Sequence, residues 1–145
     1  MNQDQLRALL MEVQQGAVAV PDALHRLRTL PYENLGFASL DHHRALRQGF
    51  PEVIFCEGKT VAQVVAIAKT LLLKNNSLLA TRVEPAVARA LLRMSKRATY
   101  HEAARVVAIV PPKLVRRGSV LIVTAGTADI PVAEEARVTA DIMGS

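Results

Sequence analysis

The sequence is poor in aromatic residues: three Phe, two Tyr and no Trp, 3% of 145 residues. A core must therefore be assembled from Leu, Val, Ile and Ala. Base stacking, which single-strand nucleic-acid binders rely on, has few rings to draw on. A single cysteine, Cys56, excludes an internal disulfide and a cysteine metal cluster, and suits a reducing cytoplasm. No run of about 18 uncharged apolar residues occurs, so no membrane span is expected. The opening MNQDQLRALL lacks the basic-then-apolar layout of a signal peptide. Internal repeats, low-complexity tracts, a Walker lysine and a complete GxGxxG are all missing.

What is present describes a globular chain. Half of the residues are hydrophobic and the mean hydropathy is +0.19, in the range of folded proteins and outside that of disordered ones. The length suffices for one ordinary domain with a real core. The net charge of +5 and pI near 9.9 suit anionic partners such as nucleotides, nucleic acid or acidic lipid. With so few aromatics, nucleic acid is the weaker choice.

Leu6, Leu9, Leu10 and Val13 recur at helical spacing, and Gly16 stands where such a helix would end. Pro21 opens a second helix with Ala23, Leu24 and Leu27 inward, and Pro31 ends it, giving a helical hairpin. Residues 36–41 and 52–56 read as strands. Thr60 and Gln63 have capping-box spacing before Val61, Val64, Val65, Ala68 and Leu72, and Asn75 and Asn76 close that helix. A strand over 77–80, a Thr81-Arg82 loop, a helix from Pro85 to about Lys96 and a strand over 104–110 follow. The Pro-rich, basic stretch PPKLVRRGS reads as a boundary. Beyond it, Ser119–Thr124 reads as a buried strand and Ala125, Gly126 and Thr127 as a tight turn. Asp129 and Pro131 read as a helix start, with Val132, Ala136, Ala140 and Met143 on the apolar face.

Three constellations carry chemistry. In LDHHRALRQGFPEVIFCEGKT, Arg44 and Arg47 can fork onto phosphate or carboxylate. A solvated turn with local ion pairs is the competing reading. His42 and His43 are adjacent and point different ways, so no metal site is expected. Arg82 follows a strand and precedes a helix, the usual place for a ligand-facing residue in an open α/β sheet. In TAGTADIPVAEEA, Gly126 permits close approach, Thr127 supplies a hydroxyl, and Asp129 can take ribose hydroxyls or simply cap a helix. Glu134 and Glu135 suit the helix dipole and partly cancel its positive end. Cys56, in an apolar strand, reads as a small buried hydrophobe and not as a nucleophile.

TAGTADIPVAEEA resembles the start of the carboxylase-like domain of the nickel-pincer-nucleotide cofactor biosynthesis family, which is related to AIR carboxylase. LDHHRALRQGFPEVIFCEGKT resembles the same family's N-terminal domain. The resemblance implies an α/β fold. A small N-terminal α/β domain with a helical hairpin, 1–115, would precede the first βα unit of a doubly wound, flavodoxin-like carboxylase domain, 116–145. A mixed or parallel sheet of about four to five strands is expected.

The resemblance further implies an enzyme that carboxylates the pyridinium ring of nicotinic acid adenine dinucleotide and hydrolyses its phosphoanhydride. The substrates would be that dinucleotide and carbon dioxide or bicarbonate, with no bound cofactor and no metal. The products would be pyridinium-3,5-biscarboxylic acid mononucleotide and AMP, feeding the cofactor of lactate racemase. Family members use a cysteine that adds to the pyridinium ring; Cys56 does not match it, so no catalytic residue is assigned and this chain alone is expected to be inactive. Of the Gly-Ser-x-Ser-Asp loop of AIR carboxylases only Asp129 is kept, and Ala128 stands where a hydroxyl would be. Substrate contacts are expected from Arg44, Arg47, Arg82, Gly126, Thr127 and Asp129. Homo-oligomers through the carboxylase-like part, a cytoplasmic location, and no nucleic-acid or membrane partner complete the expectation. The alternative is a non-catalytic nucleotide-binding or oligomerisation module.

Overall fold

In the computed structural model, residues 3–27, 32–41, 44, 52–75, 77–111 and 114–145 are described. They form two compact units, Met1–Glu52 and Val53–Ser145.

In the first unit, α1 (Gln3–Gln14) and α2 (Val20–Leu27) make the expected hairpin. Gly16, at φ +72, supplies the left-handed turn after α1, and Glu12 and Arg26 pair at 3.4 Å between the helices. Leu9 and Ala23 are buried, but Leu10 is exposed, and so is Leu24, which helical spacing put inward. β1 (Tyr32–Asn34) and β2 (Ser39–Asp41) form an antiparallel ribbon. The Asn34 side chain takes the Gly36 N–H at 2.7 Å within its turn. The strand expected over 36–41 is thus a shorter strand, preceded by a partner that the sequence pattern did not reveal.

The second unit is built on one mixed sheet, in the order β3-β4-β6-β5. Its strands are β3 (Val53–Phe55), β4 (Leu78–Thr81), β5 (Ala98–His101) and β6 (Val106–Ile109). β3 and β4 are parallel; β4–β6 and β6–β5 are antiparallel. α3 (Val61–Lys74) crosses from β3 to β4, and α4 (Pro85–Leu92) from β4 over β6 to β5. Both crossovers run in the same direction, so the right-handed rule sets both helices on one face. Every residue of β4 and β6 is buried, which requires cover on the other face too. α5 (Ile130–Met143) packs on β4 and β6 with Val138 and Ile142. The core is aliphatic, as the composition required: Leu71, Leu78, Leu79, Leu91, Val106, Val107 and Ile109 are its largest enclosed side chains.

The local signals of α3 hold in detail. The Thr60 hydroxyl takes the Gln63 N–H at 3.3 Å, while Gln63 Oε1 takes the Thr60 N–H at 2.9 Å. Replacing Thr60 with Ala is expected to lower the unfolding free energy by about 1 kcal/mol, read as a lower urea midpoint at unchanged slope.

Three expectations near the C-terminus are corrected. Ser119–Thr124 runs without strand pairing, and Val120, Leu121 and Val123 are exposed. A β-rich stretch becomes a strand only where another backbone edge meets it. Asp129 does not cap α5 with its side chain; it is already helical and closes a short 3-10 turn, Thr127–Asp129. The face Val132–Ala136–Met143 is outward, and the stripe about a third of the way round the helix, 135, 138 and 142, carries the buried Val138 and Ile142. The far end of α5 is clamped to the preceding segment. Gly144, at φ +94, gives its carbonyl to the Arg117 N–H at 2.6 Å, and a Cβ there would lie 2.5 Å from the Val115 oxygen.

Candidate functional site

The directions of the four strands decide where polar groups collect. β3, β4 and β5 all end at one edge of the sheet, and β6 begins there, with His101 opposite Val106. The carboxyl ends of strands in open α/β sheets are where ligands gather.

β3 leads into the turn Cys56–Lys59, closed by a Lys59 N–H bond to the Cys56 carbonyl at 3.0 Å. Gly58 occupies its third position at φ +75, which a side chain would resist. Lys59 Nζ donates to the Phe55 carbonyl at 2.7 Å and lies 5.8 Å from the Phe55 ring centre, so its ammonium stays at the edge.

One strand over, β4 ends at buried Thr81, and Arg82 turns left-handed at φ +55. Arg105, just before β6, does the same at φ +51. Such a conformation costs an L-residue roughly 1–2 kcal/mol, and the surroundings hold it here. The Val83 N–H donates to the Arg105 carbonyl at 2.8 Å, and Arg105 Nε reaches the Val83 carbonyl at 3.5 Å. The Val83–Arg105 bond ties the residue after Arg82 to Arg105, so the two basic residues flank the junction of β4 and β6. α5 supplies the counter-charge: Glu135 lies 3.5 Å from Arg82. The neighbouring Glu134 is held below the usual carboxylate range, first by its bond to Arg137 and also by the charges of Arg137 and His101. The edge therefore carries Lys59, Arg82, Arg105 and His101 as a basic rim, with one α5 carboxylate reaching in.

Burial pushes the Cys56 thiol up to about 11, with Lys59 opposing in part. It is a thiol at neutral pH and no nucleophile, as its apolar strand suggested. Among the described residues, no group of three or more His, Cys, Asp or Glu is arranged to hold a metal ion.

Five of the six residues expected to touch substrate lie among the described residues. Arg82 stands in the rim. Gly126, Thr127 and Asp129 stand at the start of α5, where the Thr124 hydroxyl donates to Asp129 Oδ2 at 3.4 Å. Gly126 has φ −106 and uses no left-handed freedom. Asp129 and Thr124 border a shallow apolar groove of about 440 Å³ between residues 122–125 and Val132, Ala133 and Ala136. In the other unit, Arg44 pairs with Glu52 at 3.2 Å, while its Nε is buried without a partner. Arg47, His42 and His43 lie outside the described residues. Lys59 belongs to the first constellation of the sequence without being one of the six expected contacts, and Arg105, His101 and Glu135 were not singled out for the site. A glycine-lysine turn directly after a strand was a signal for Lys59, whereas nothing local marks Arg105 or Glu135, whose place depends on pairing and helix docking.

A family model described as the LarB/PurE-like N-terminal domain matches residues 32–111, more than half of the chain and most of the rim. An uncharacterized protein of Methanocaldococcus jannaschii is 32% identical over 147 residues, covering 96% of this chain and 57% of that protein. The chain thus spans little more than half the length of this relative. Among the described residues no helix is long and apolar enough to cross a membrane.

Proposed function

This chain belongs to the LarB/PurE-like N-terminal domain family, and from that premise we propose that it is the front part of a cytoplasmic enzyme making the nickel-pincer nucleotide. In this reading the whole enzyme carboxylates the pyridinium ring of nicotinic acid adenine dinucleotide, using carbon dioxide or bicarbonate. It then hydrolyses the phosphoanhydride, releasing pyridinium-3,5-biscarboxylic acid mononucleotide and AMP. Residues 116–145 open its carboxylase-like domain.

The observation that carries the reading is the basic rim. A dinucleotide is held chiefly through its pyrophosphate, and guanidinium groups match phosphate oxygens in paired bonds. Arg82 follows β4 and Arg105 precedes the adjacent β6, with Lys59 on the turn after β3. Arg82 would take the phosphate directly. Arg105 would fix the Arg82–Val83 turn through its bonds to Val83. Thr127 and Asp129 would face the ribose. Chemistry on the pyridinium ring is assigned to no residue here, because Cys56 is buried and protonated.

Calorimetric titration with nicotinic acid adenine dinucleotide tests this. Binding without turnover is expected from this chain. Arg82→Ala should weaken it about tenfold or more, the loss of one charge-assisted contact. Equal affinity for wild type and R82A would remove the rim from the reading, and biscarboxylated product from this chain alone would remove the division of labour.

A second reading, an oligomerisation module, is favoured by one observation. Leu121 is 88% and Val123 81% exposed, in a segment whose Val120 and Val123 line grooves with outward Val132 and Met143. Apolar surface grouped in this way marks an interface. Light scattering that gives an oligomer for the wild type and a monomer for Leu121→Asp/Val123→Asp would support assembly through this segment.

A further inference from the structure

We propose that Glu135 is a built-in substitute for the anionic ligand: it occupies Arg82 while the rim is empty and gives way when a phosphate group arrives. The inference rests on the rim being the dinucleotide site.

The case starts from where Glu135 stands. Residues 135, 138 and 142 form the stripe of α5 that faces the sheet, and the other two are buried Val138 and Ile142. At the first of these positions an apolar side chain would continue the packing; a carboxylate there has to leave water in part. Its side chain is 26% exposed. Neither the helix dipole nor a local pair accounts for it. The dipole acts within the first turn, and α5 has no acid in its first turn. Glu134 has its own local partner in Arg137 at 2.9 Å, whereas Glu135 reaches another element.

What it reaches is Arg82. Arg82 is held left-handed just after β4, and Arg105, also left-handed, lies just before the adjacent strand β6. Glu135 reaches Arg82 Nε at 3.5 Å. This contact is long, and the Arg82 side chain keeps 45% of its surface exposed. Half-exposed pairs of this kind contribute little. A phosphate, offering two oxygens to the fork, would outcompete the carboxylate, and the displaced Glu135 would return to water. Ligand binding would then loosen the first half of α5 from the β4 end, linking rim occupancy to the helix that carries the outward apolar face.

Titrations with nicotinic acid adenine dinucleotide on wild type, Glu135→Gln, Arg82→Ala and the double variant separate the possibilities. Removing the competing charge is expected to tighten binding about two- to fivefold in E135Q, the range for a half-exposed pair. The double variant should match R82A, because without Arg82 there is nothing to release. E135Q binding no tighter than wild type, with R82A still weakened, would overturn the exchange and leave the rim reading standing. R82A binding like wild type would overturn both. Amide exchange on the wild type gives a readout independent of any folding defect in E135Q. Faster exchange over 132–138 with the dinucleotide present supports displacement, and unchanged or slower exchange overturns it.

Discussion

Truncating Leu71 to Ala is expected to lower the unfolding free energy by about 2–5 kcal/mol, while the same change at Leu73 stays within about 0.5 kcal/mol. The two residues share a helix, a side chain and a sequence neighbourhood, since α3 ends in Leu71-Leu72-Leu73-Lys74. Leu71 is 1% exposed and Leu73 85%. Removing the Leu71 side chain forfeits its transfer free energy and leaves a cavity that an aliphatic core of close-packed Val and Leu cannot fully close. A domain of this size is stable by only about 5–15 kcal/mol, so the Leu71 variant should lose a large share of its stability. Urea unfolding at constant slope is the measurement. Equal midpoints for the two variants would mean that α3 does not dock through the Val64–Ile67–Ala68–Leu71 stripe.

The second large effect is alkaline. Burial pushes the Cys56 thiol to about 11, against 9.0 for a free one. The folded chain therefore prefers the protonated thiol. Its contribution is fully present below pH 9 and disappears as pH rises towards 11. The difference corresponds to at most about 3 kcal/mol. Unfolding free energies measured from pH 8 to 10.5 should fall more steeply for the wild type than for Cys56→Ala, which has no thiol to titrate. Parallel curves would place Cys56 in contact with water. The same shift leaves about a hundredfold less thiolate at neutral pH than in a free cysteine, so alkylation of the native chain should be correspondingly slow.

These cases show where sequence reading was reliable. α3 announced itself through its cap, its periodicity and its closing Asn75, because all three are contacts within a few residues of one another. β3, β4 and β6 were found as β-rich apolar runs between turn signals, and Arg82 was found by its place after β4. β5 was not: Ala98–His101 is half-exposed, polar and short, and only its pairing with β6 makes it a strand. The rim was half legible. Arg82 and the Lys59 turn follow strands in the sequence, but Arg105 joins them only because β6 inserts between β4 and β5. The family wording in LDHHRALRQGFPEVIFCEGKT was legible as well, and the family match spans that stretch up to Pro111.

By itself the sequence determined the aliphatic core, the capped helix, the α/β class and the family, since composition, local hydrogen bonding and motif order are properties of neighbouring residues. Tertiary structure decided which face of α5 turns inward, whether Ser119–Thr124 pairs, and which cations share an edge. A helical period states that a stripe exists without saying what lies against it. α5 carries apolar residues on two sides, and docking on β4 and β6 chose Val138 and Ile142 over Val132 and Met143. That choice also carried Glu135 to Arg82.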